Sequence, residues 1–271
     1  MAGLTGVDRC ASVRRVPGTP ERRTALVTGA GRGIGRGVAQ RLAREGYRVA
    51  LTARSEDQLA ETAASLPEGL ALVVPADMLE PTAPDRVVDA VEAQWGPVDV
   101  LVANAGGGWS APIARLTDEM WQRHLDLNLT APFRTVRRVV PGMVERGWGR
   151  IVLMASLLAK RGEPYVAGYT ASKHGLLGLT RSVAAELART GVTCNAICPA
   201  YVDTPMTEGT VDTIVRNTGR SPEDARRYVE RIQPSHRLIT VDEVAEAVWA
   251  VVANSGINGQ GINVDSGAVQ S

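Results

Sequence analysis

The sequence contains few cysteines, few aromatic residues and no long apolar run. Among its 271 residues are three cysteines, one phenylalanine, five tyrosines and five tryptophans. An odd number of cysteines, far apart except for Cys194 and Cys198, excludes the disulfide framework of a small exported protein. No run approaches the roughly 20 apolar residues of a membrane span, and no apolar block typical of a signal peptide opens the chain. We therefore expect a cytoplasmic protein without a membrane segment.

Cys194 and Cys198 are separated by three residues, a spacing that a metal site can use. No histidine or further cysteine lies near them in the sequence, and they fall within an apolar segment typical of a buried strand. We therefore interpret them as reduced thiols of the core and predict no metal site.

The chain also lacks an excess of charge. Its 30 basic residues nearly balance 29 acidic ones, giving a net charge of +1, so there is no basic field to attract nucleic acid. Hydrophobic residues make up 44% of the sequence, which is ample for a core. Lysine itself is scarce, since arginine supplies all the basic residues except Lys160 and Lys173. A lysine in such a chain indicates a need for its compact ammonium group.

Short β-branched runs alternate with helix-length segments from Thr24 onward. The runs are Ala25–Thr28, Tyr47–Thr52, Ala71–Pro75, Val98–Ala103, Arg150–Ala155, Val192–Cys198 and Gly261–Val264. Near-continuous apolar strands separated by helices predict a parallel sheet covered on both faces. We predict an α/β fold with a single doubly wound, Rossmann-type domain over residues 23–271, after a flexible leader at residues 1–22. Residues 203–240 break the rhythm, and we predict that they cover the ligand crevice as a lid.

The first predicted strand runs directly into a glycine-rich turn at Thr28–Gly35, and a helical pattern follows. Glycines here allow a tight turn and let a pyrophosphate lie against N–H groups at the positive end of a helix. The second strand ends at Ala53 and Arg54, where a cofactor with a free ribose 2′-hydroxyl favours an acidic residue. Arg54 and Arg32 offer guanidinium groups to a 2′-phosphate instead. The pattern favours NADP(H), with two solvated surface arginines as the alternative interpretation.

Tyr169 and Lys173 lie four residues apart in a segment that reads as a helix, so they share one helix face. An ammonium group near a phenol favours the phenolate. We therefore expect Lys173 to lower the pKa of Tyr169 and to prepare it for proton exchange with a carbonyl or alcohol oxygen. Ser156, thirteen residues before the tyrosine, ends the fifth strand, where its hydroxyl can hold a carbonyl. The alternative is a half-buried tyrosine beside a solvated lysine.

Further polar positions lie where a ligand is expected to bind. Asp77 follows the third strand and can accept a hydrogen bond from an adenine amino group. Asn104, Ala105 and Gly106 close the fourth strand with small residues that let a cofactor approach. Asn128 lies among leucines in a helix predicted over residues 117–145, so its amide must bond backbone at a kink or serve a polar site.

In order and spacing, these parts resemble the short-chain dehydrogenases/reductases of the single-domain branch over about residues 23–267. The resemblance implies that Tyr169 is the general acid/base, that Lys173 lowers its pKa and binds the nicotinamide ribose, and that Ser156 orients the carbonyl. It implies that Asn128 supports a proton relay. The implied cofactor contacts are Gly29, Arg32, Gly33, Ile34, Gly35, Arg54, Asp77, Asn104, Ala105, Gly106, Tyr169, Lys173, Pro199 and Thr204. Ala200 and Ser266 depart from the glycines usual in the family, outside the proton-transfer set.

The resemblance implies NADPH-dependent reduction of a ketone, most like the 3-oxoacyl-carrier-protein reductases and the ketoreductases of aromatic polyketide pathways. One alternative is an NADP-dependent alcohol dehydrogenase acting oxidatively on a sterol, sugar or small alcohol, and another is a non-catalytic NADP(H)-sensing protein. We expect a small ketone or alcohol, free or attached to a carrier protein. The residues expected to line its cleft are Trp109, Glu163, Tyr165 and Tyr201. Since family members are usually homotetramers or dimers, we expect a homo-oligomer.

Overall fold

The computed structural model describes residues 22–270, so nearly all of the predicted leader at residues 1–22 lies outside the described residues. A sheet of seven parallel strands forms the centre of the described part. The strands are β1 (Thr24–Thr28), β2 (Arg48–Thr52), β3 (Ala71–Val73), β4 (Val100–Ala103), β5 (Gly149–Met154), β6 (Val192–Pro199) and β7 (Gly261–Val264). Their order is β3-β2-β1-β4-β5-β6-β7. The predicted doubly wound parallel sheet is confirmed.

Helices cover both faces of this sheet. They are α1 (Gly33–Arg44), α2 (Glu56–Ala64), α3 (Ala83–Trp95), α4 (Asp118–Leu125), α5 (Ala131–Glu145), α6 (Ala167–Leu187), α7 (Pro205–Thr218), α8 (Pro222–Arg231) and α9 (Val241–Ala253). One core joins the sheet to α3, α5 and α6, and a second joins it to α1, α2 and α9. Every residue of β1, β4, β5 and β6 is buried, which explains why these strands are mostly apolar. In the described part of the chain, no helix combines the length and apolar character needed to cross a membrane.

The single helix predicted over residues 117–145 is interrupted between α4 and α5. Asp126–Thr130 forms a π-helical turn, in which the Ala131 N–H donates to the carbonyl of Asp126, five residues earlier. Pro132 has no N–H to donate to the carbonyl of Asn128, so the α-helical pattern cannot continue across this point. Asn128 is buried inside the turn. A π-helical turn of this kind is often found at a functional site.

The two ends of the segment predicted to act as a lid pair with each other. Val202 pairs with Ile239, and the Asp203 N–H donates to the Ile239 carbonyl at 2.8 Å. Between them, α7 and α8 pack around a small core that contains Val211 and Val229. Ser221 caps α8, since its hydroxyl accepts from the Asp224 N–H at 3.1 Å. That this segment covers a ligand stays a prediction.

Candidate active site

Hydrogen bonds join the carboxyl ends of β1 and β4 at the base of a crevice. Here the strand order reverses direction, and in doubly wound sheets ligands bind at this point. The Thr28 hydroxyl accepts the N–H groups of Asn104, at 3.0 Å, and Ala105, at 2.9 Å. The Asn104 amide donates in return to the Thr28 carbonyl at 2.9 Å. Asn104 and Ala105 therefore fix the two strand ends to each other.

The glycine turn leaves room for an anion at the start of α1. Gly29 and Gly33 have φ angles of +67° and +53°, which residues with a side chain rarely adopt. A Cβ atom on Gly35 would lie 2.2 Å from the Gly29 carbonyl oxygen. In the described structure the Arg32 side chain makes no capping hydrogen bond to α1, so the first N–H groups of this helix can bind a phosphate. These residues fit the pyrophosphate of a dinucleotide.

Arg32 and Arg54 both lie at this end of the sheet and are exposed. The Ala30 N–H donates to the Thr52 carbonyl at 3.1 Å, which holds the glycine turn against the end of β2. Within residues 22–270, neither Arg32 nor Arg54 forms an ion pair, whereas Arg36 on α1 pairs with a carboxylate. The two guanidinium groups therefore fit a 2′-phosphate, and no acidic side chain occupies the position that would favour a free 2′-hydroxyl.

Ser156 lies beside Tyr169, close enough for its hydroxyl to influence the phenol. Ser156 begins a 3₁₀ turn at Leu157–Ala159, where its hydroxyl accepts from the Leu158 N–H at 3.1 Å. Tyr169 lies in the first turn of α6. Burial raises the pKa of Tyr169, and the Ser156 hydroxyl acts in the opposite direction. The expected lowering of the Tyr169 pKa is therefore wrong for this structure, because removal of the phenol from water outweighs its neighbours.

Lys173 lies one helical turn after Tyr169 and is 4% exposed. Its Nζ atom donates to the Met154 carbonyl at 2.8 Å and lies 5.6 Å from the centre of the tyrosine ring. Burial lowers the pKa of Lys173 to about 8, because the ammonium group is removed from water. The predicted pair is therefore adjacent, with an ammonium group placed over the phenol ring.

Asn128 and a run of three glycines complete the wall of the site. The Asn128 amide donates to the Gly107 carbonyl at 2.9 Å, and its oxygen accepts the Gly107 N–H at 3.0 Å. A Cβ on Gly106 would lie 2.9 Å from the Asn128 oxygen and 3.5 Å from Lys173 Nζ. A Cβ on Gly108 would lie 3.2 Å from the Tyr169 ring. The buried amide thus bonds backbone beside a kink and holds the glycine run against Lys173 and Tyr169.

Comparison with known proteins identifies this arrangement. Residues 23–215 match the short chain dehydrogenase family. The chain belongs to this family. It is therefore an oxidoreductase.

Its relatives include reductases and a dehydrogenase. The chain is 37% identical to the 3-oxoacyl-acyl-carrier-protein reductase MabA of Mycobacterium tuberculosis over 247 residues, which cover 90% of this chain and 92% of MabA. It is 35% identical to the D-beta-hydroxybutyrate dehydrogenase of Rhizobium meliloti over 252 residues, which cover 90% of this chain and 98% of that protein. A crystal structure of a variant actinorhodin polyketide ketoreductase with NADPH aligns at a TM-score of 0.88 and 40% identity, covering 91% of this chain and 97% of the other.

The remaining predicted cofactor contacts lie around the same crevice of this short chain dehydrogenase. The Asp77 carboxylate accepts the Leu79 N–H at 3.0 Å and shapes the turn after β3. Pro199 ends β6, paired with Val264. Thr204 begins the lid segment and approaches the glycine turn, since a Cβ on Gly33 would lie 3.2 Å from its methyl group. These positions are consistent with the roles that the sequence predicts, which stay predictions.

The structure places the four predicted substrate residues in different surroundings. Glu163 accepts from Arg161 at 2.6 Å and from the Tyr201 hydroxyl at 3.4 Å, which joins the loop after β5 to the segment after β6. Tyr165 is 65% exposed, and its φ of +70° is unusual for an aromatic residue. Trp109 packs against α4 with the Arg123 guanidinium 4.5 Å from its ring centre. Trp109 therefore forms part of a packed wall beside the glycine run.

Sequence reasoning missed His124 of α4, which is fully buried. Its Nε2 atom accepts the Trp109 N–H at 3.0 Å, and its ring lies edge-on to the Tyr169 ring at 6.5 Å. The sequence offers only one signal for this role, because His124 stands one turn before Asn128 in the same predicted helix.

Proposed function

We propose that this short chain dehydrogenase is an NADPH-dependent ketoreductase, in which Ser156 holds the ketone oxygen and Tyr169 donates the proton. The observation that carries this proposal is the placement of Ser156 beside Tyr169, with the buried Lys173 one helical turn further along α6. All three lie at the carboxyl end of the sheet, where ligands bind in doubly wound folds. The names of the Mycobacterium tuberculosis reductase and the actinorhodin ketoreductase support reduction as the direction, and NADPH in the latter's structure supports the cofactor.

Each group has a defined part in this reaction. NADPH, when bound, supplies a hydride to the carbonyl carbon. The N–H groups at the start of α1 hold the pyrophosphate, while Arg32 and Arg54 hold the 2′-phosphate. Ser156 donates a hydrogen bond to the ketone oxygen and orients it. Lys173 stabilises the phenolate that remains after proton donation.

The pKa of Tyr169 also favours reduction. Because burial raises this pKa, the phenol keeps its proton at neutral pH and can donate it to the developing alkoxide. Oxidation of an alcohol needs the phenolate as a base, and this form is scarce until the pH rises. Similarity to a D-beta-hydroxybutyrate dehydrogenase nevertheless makes oxidation of a hydroxy acid the second candidate.

The proposed substrate is a ketone of the 3-oxoacyl or polyketide type, free or attached to a carrier protein. The names of the two similar reductases support this substrate class, and a panel of ketones tests it. NADPH and NADH oxidation would be followed by absorbance with a 3-oxoacyl thioester, a bicyclic ketone and a polycyclic quinone. NADP⁺ reduction would be followed with 3-hydroxybutyrate.

The panel separates the candidates. Faster NADPH oxidation with one of the ketones than NADP⁺ reduction with the hydroxy acid supports the ketoreductase, and the reverse supports the dehydrogenase. Tight NADPH binding without turnover of any compound would favour the non-catalytic sensor.

A double substitution, Arg32→Ser with Arg54→Ser, tests the choice of cofactor. We expect at least a tenfold weaker apparent affinity for NADPH and little change for NADH, because each lost guanidinium removes a charge-assisted hydrogen bond of about 1.5–3 kcal/mol. Arg44→Ser, in the last turn of the same α1, is the matched control. Faster turnover with NADH in the unmodified protein would contradict the proposal for the two arginines.

A further inference from the structure

His124 is a polar ring with no exposed surface in the last turn of α4. A buried polar group needs hydrogen-bond partners, and the ring has one on each nitrogen. Nδ1 lies 2.8 Å from the Met120 carbonyl oxygen, and Nε2 lies 3.0 Å from the Trp109 backbone nitrogen. His124 therefore connects α4 to the end of the glycine run.

These partners assign the tautomer of His124. The Met120 carbonyl can only accept, so Nδ1 carries the proton, and the Trp109 N–H can only donate, so Nε2 is the acceptor. An apolar residue of similar size would fill the same space, but it would leave the Trp109 N–H without this acceptor. The acceptor nitrogen is thus the part of the ring that packing alone does not explain.

The same ring touches the elements that carry the proposed proton donor. It lies edge-on to Trp109 at 5.0 Å and to Tyr169 at 6.5 Å between ring centres. A Cβ on Gly168, the residue before Tyr169, would lie only 2.8 Å from His124 Nδ1, so the first turn of α6 approaches the imidazole closely. The position of His124 is therefore coupled to the position of Tyr169.

We propose that His124 is a positioning residue for the proton donor, a proposal that rests on the function proposed above for Tyr169. By accepting the Trp109 N–H, the imidazole holds one end of the run Gly106–Trp109, while Asn128 holds the same run at Gly107. The run in turn lies against the Tyr169 ring, because a Cβ on Gly108 would lie 3.2 Å from that ring. Loss of the acceptor frees the run and lets the phenol leave the orientation needed for proton transfer.

Two substitutions separate the acceptor from the bulk of the ring. His124→Phe keeps an aromatic ring but removes the acceptor. His124→Gln removes the ring but keeps an acceptor, the amide oxygen. His174→Phe on α6 is the matched control, because His174 makes a similar bond to a carbonyl four residues earlier but is exposed. Each variant is compared in thermal unfolding, amide hydrogen exchange of residues 106–109, and steady-state kinetics with NADPH and a ketone.

We expect His124→Phe to exchange the Trp109 amide at least about tenfold faster and to lower kcat roughly 10- to 100-fold, since small misplacements of a reacting group have effects of this size. His124→Gln should restore slow exchange and most of kcat, and the solvent deuterium isotope effect on kcat should increase only in the phenylalanine variant. Unchanged exchange and kcat in His124→Phe would overturn the proposal, and so would equal losses in both variants.

The exchange data also distinguish this proposal from the proposed function. If the unmodified protein reduces no ketone, the proposed function fails, while the exchange of residues 106–109 still decides whether His124 holds this run. If His124→Phe does not fold, normal exchange and kcat in His124→Gln support the acceptor role, and a loss of both in that variant overturns it.

Discussion

Replacing Lys173 with methionine is expected to change how the stability of this protein depends on pH. Burial lowers the pKa of Lys173 from 10.5 to about 8, a drop that corresponds to roughly 3 kcal/mol of unfavourable burial of its charge. Below pH 8 the lysine is charged in both the folded and the unfolded chain, so the folded state carries the whole penalty. Above about pH 8 the folded protein releases the proton while the unfolded chain retains it, and the stability of the unmodified protein rises.

Methionine has a similar unbranched shape and never carries charge, so its variant lacks this dependence. The free energy of unfolding of Lys173→Met minus that of the unmodified protein should therefore decrease by roughly 2 kcal/mol between neutral pH and about pH 9.5. The lost hydrogen bond to the Met154 carbonyl does not alter this change, because a neutral amine also donates.

Urea unfolding without cofactor, followed by circular dichroism at several pH values, measures this difference. Lys160→Met, which removes the only other lysine of the chain, corrects for the general loss of a positive charge. A difference between Lys173→Met and the unmodified protein that stays constant with pH would refute the reasoning, because it would mean that the ammonium group is not desolvated.

Two further predictions concern the glycine run. Asn128→Ala should lower the free energy of unfolding by about 1–3 kcal/mol and reduce turnover, because the N–H and carbonyl of Gly107 both lose their partner. Urea unfolding and steady-state kinetics check this, and a neutral effect on both would contradict the assigned contact. Gly106→Ala should weaken NADPH binding about tenfold or more, because its Cβ would lie 2.9 Å from the Asn128 oxygen. Gly178→Ala on α6, where no atom of the described residues lies within 4 Å of the added atom, should instead stabilise the protein by up to about 1 kcal/mol. Fluorescence titration with NADPH and urea unfolding would detect the contrast, and similar effects of the two substitutions would argue against the close packing at Gly106.

The sheet was predictable because its central strands are buried on both faces. Such strands carry almost unbroken apolar runs. The edge strand β7, which is only partly buried, also begins and ends at the predicted residues. The ends of other strands were less certain. Pro75 was predicted to close β3, which ends at Val73 in the structure. Propensity alone does not show where inter-strand pairing ceases, and a proline cannot donate to it.

The break between α4 and α5 was only partly foreseen. The leucine pattern across residues 117–145 continues at helical spacing, so it predicted one helix. That prediction allowed a kink at Asn128 but took no account of Pro132, which removes a donor from the helical pattern. The hydrogen-bond partner of Asn128 is Gly107, 21 residues earlier, and the local sequence pattern does not identify so distant a partner.

In the site, the order and spacing of residues indicated which side chains meet, but not their environment. Ser156, Tyr169 and Lys173 meet as predicted from a strand end and one helix face. The direction of the Tyr169 pKa was predicted wrongly, because it depends on how much water reaches the phenol. His124 was missed because its partners come from α4 itself, a loop fifteen residues earlier and α6.

The most direct test of the proposed function compares Tyr169→Phe with the unmodified protein in NADPH oxidation with a 3-oxoacyl thioester. Tyr47→Phe is the control, because Tyr47 lies in the core at the opposite end of the sheet. We expect Tyr169→Phe to keep binding NADPH through the other predicted cofactor contacts and to lose at least about 10²-fold in kcat, as is typical when a general acid is removed. Full turnover by Tyr169→Phe would contradict the assignment of Tyr169 as the proton donor.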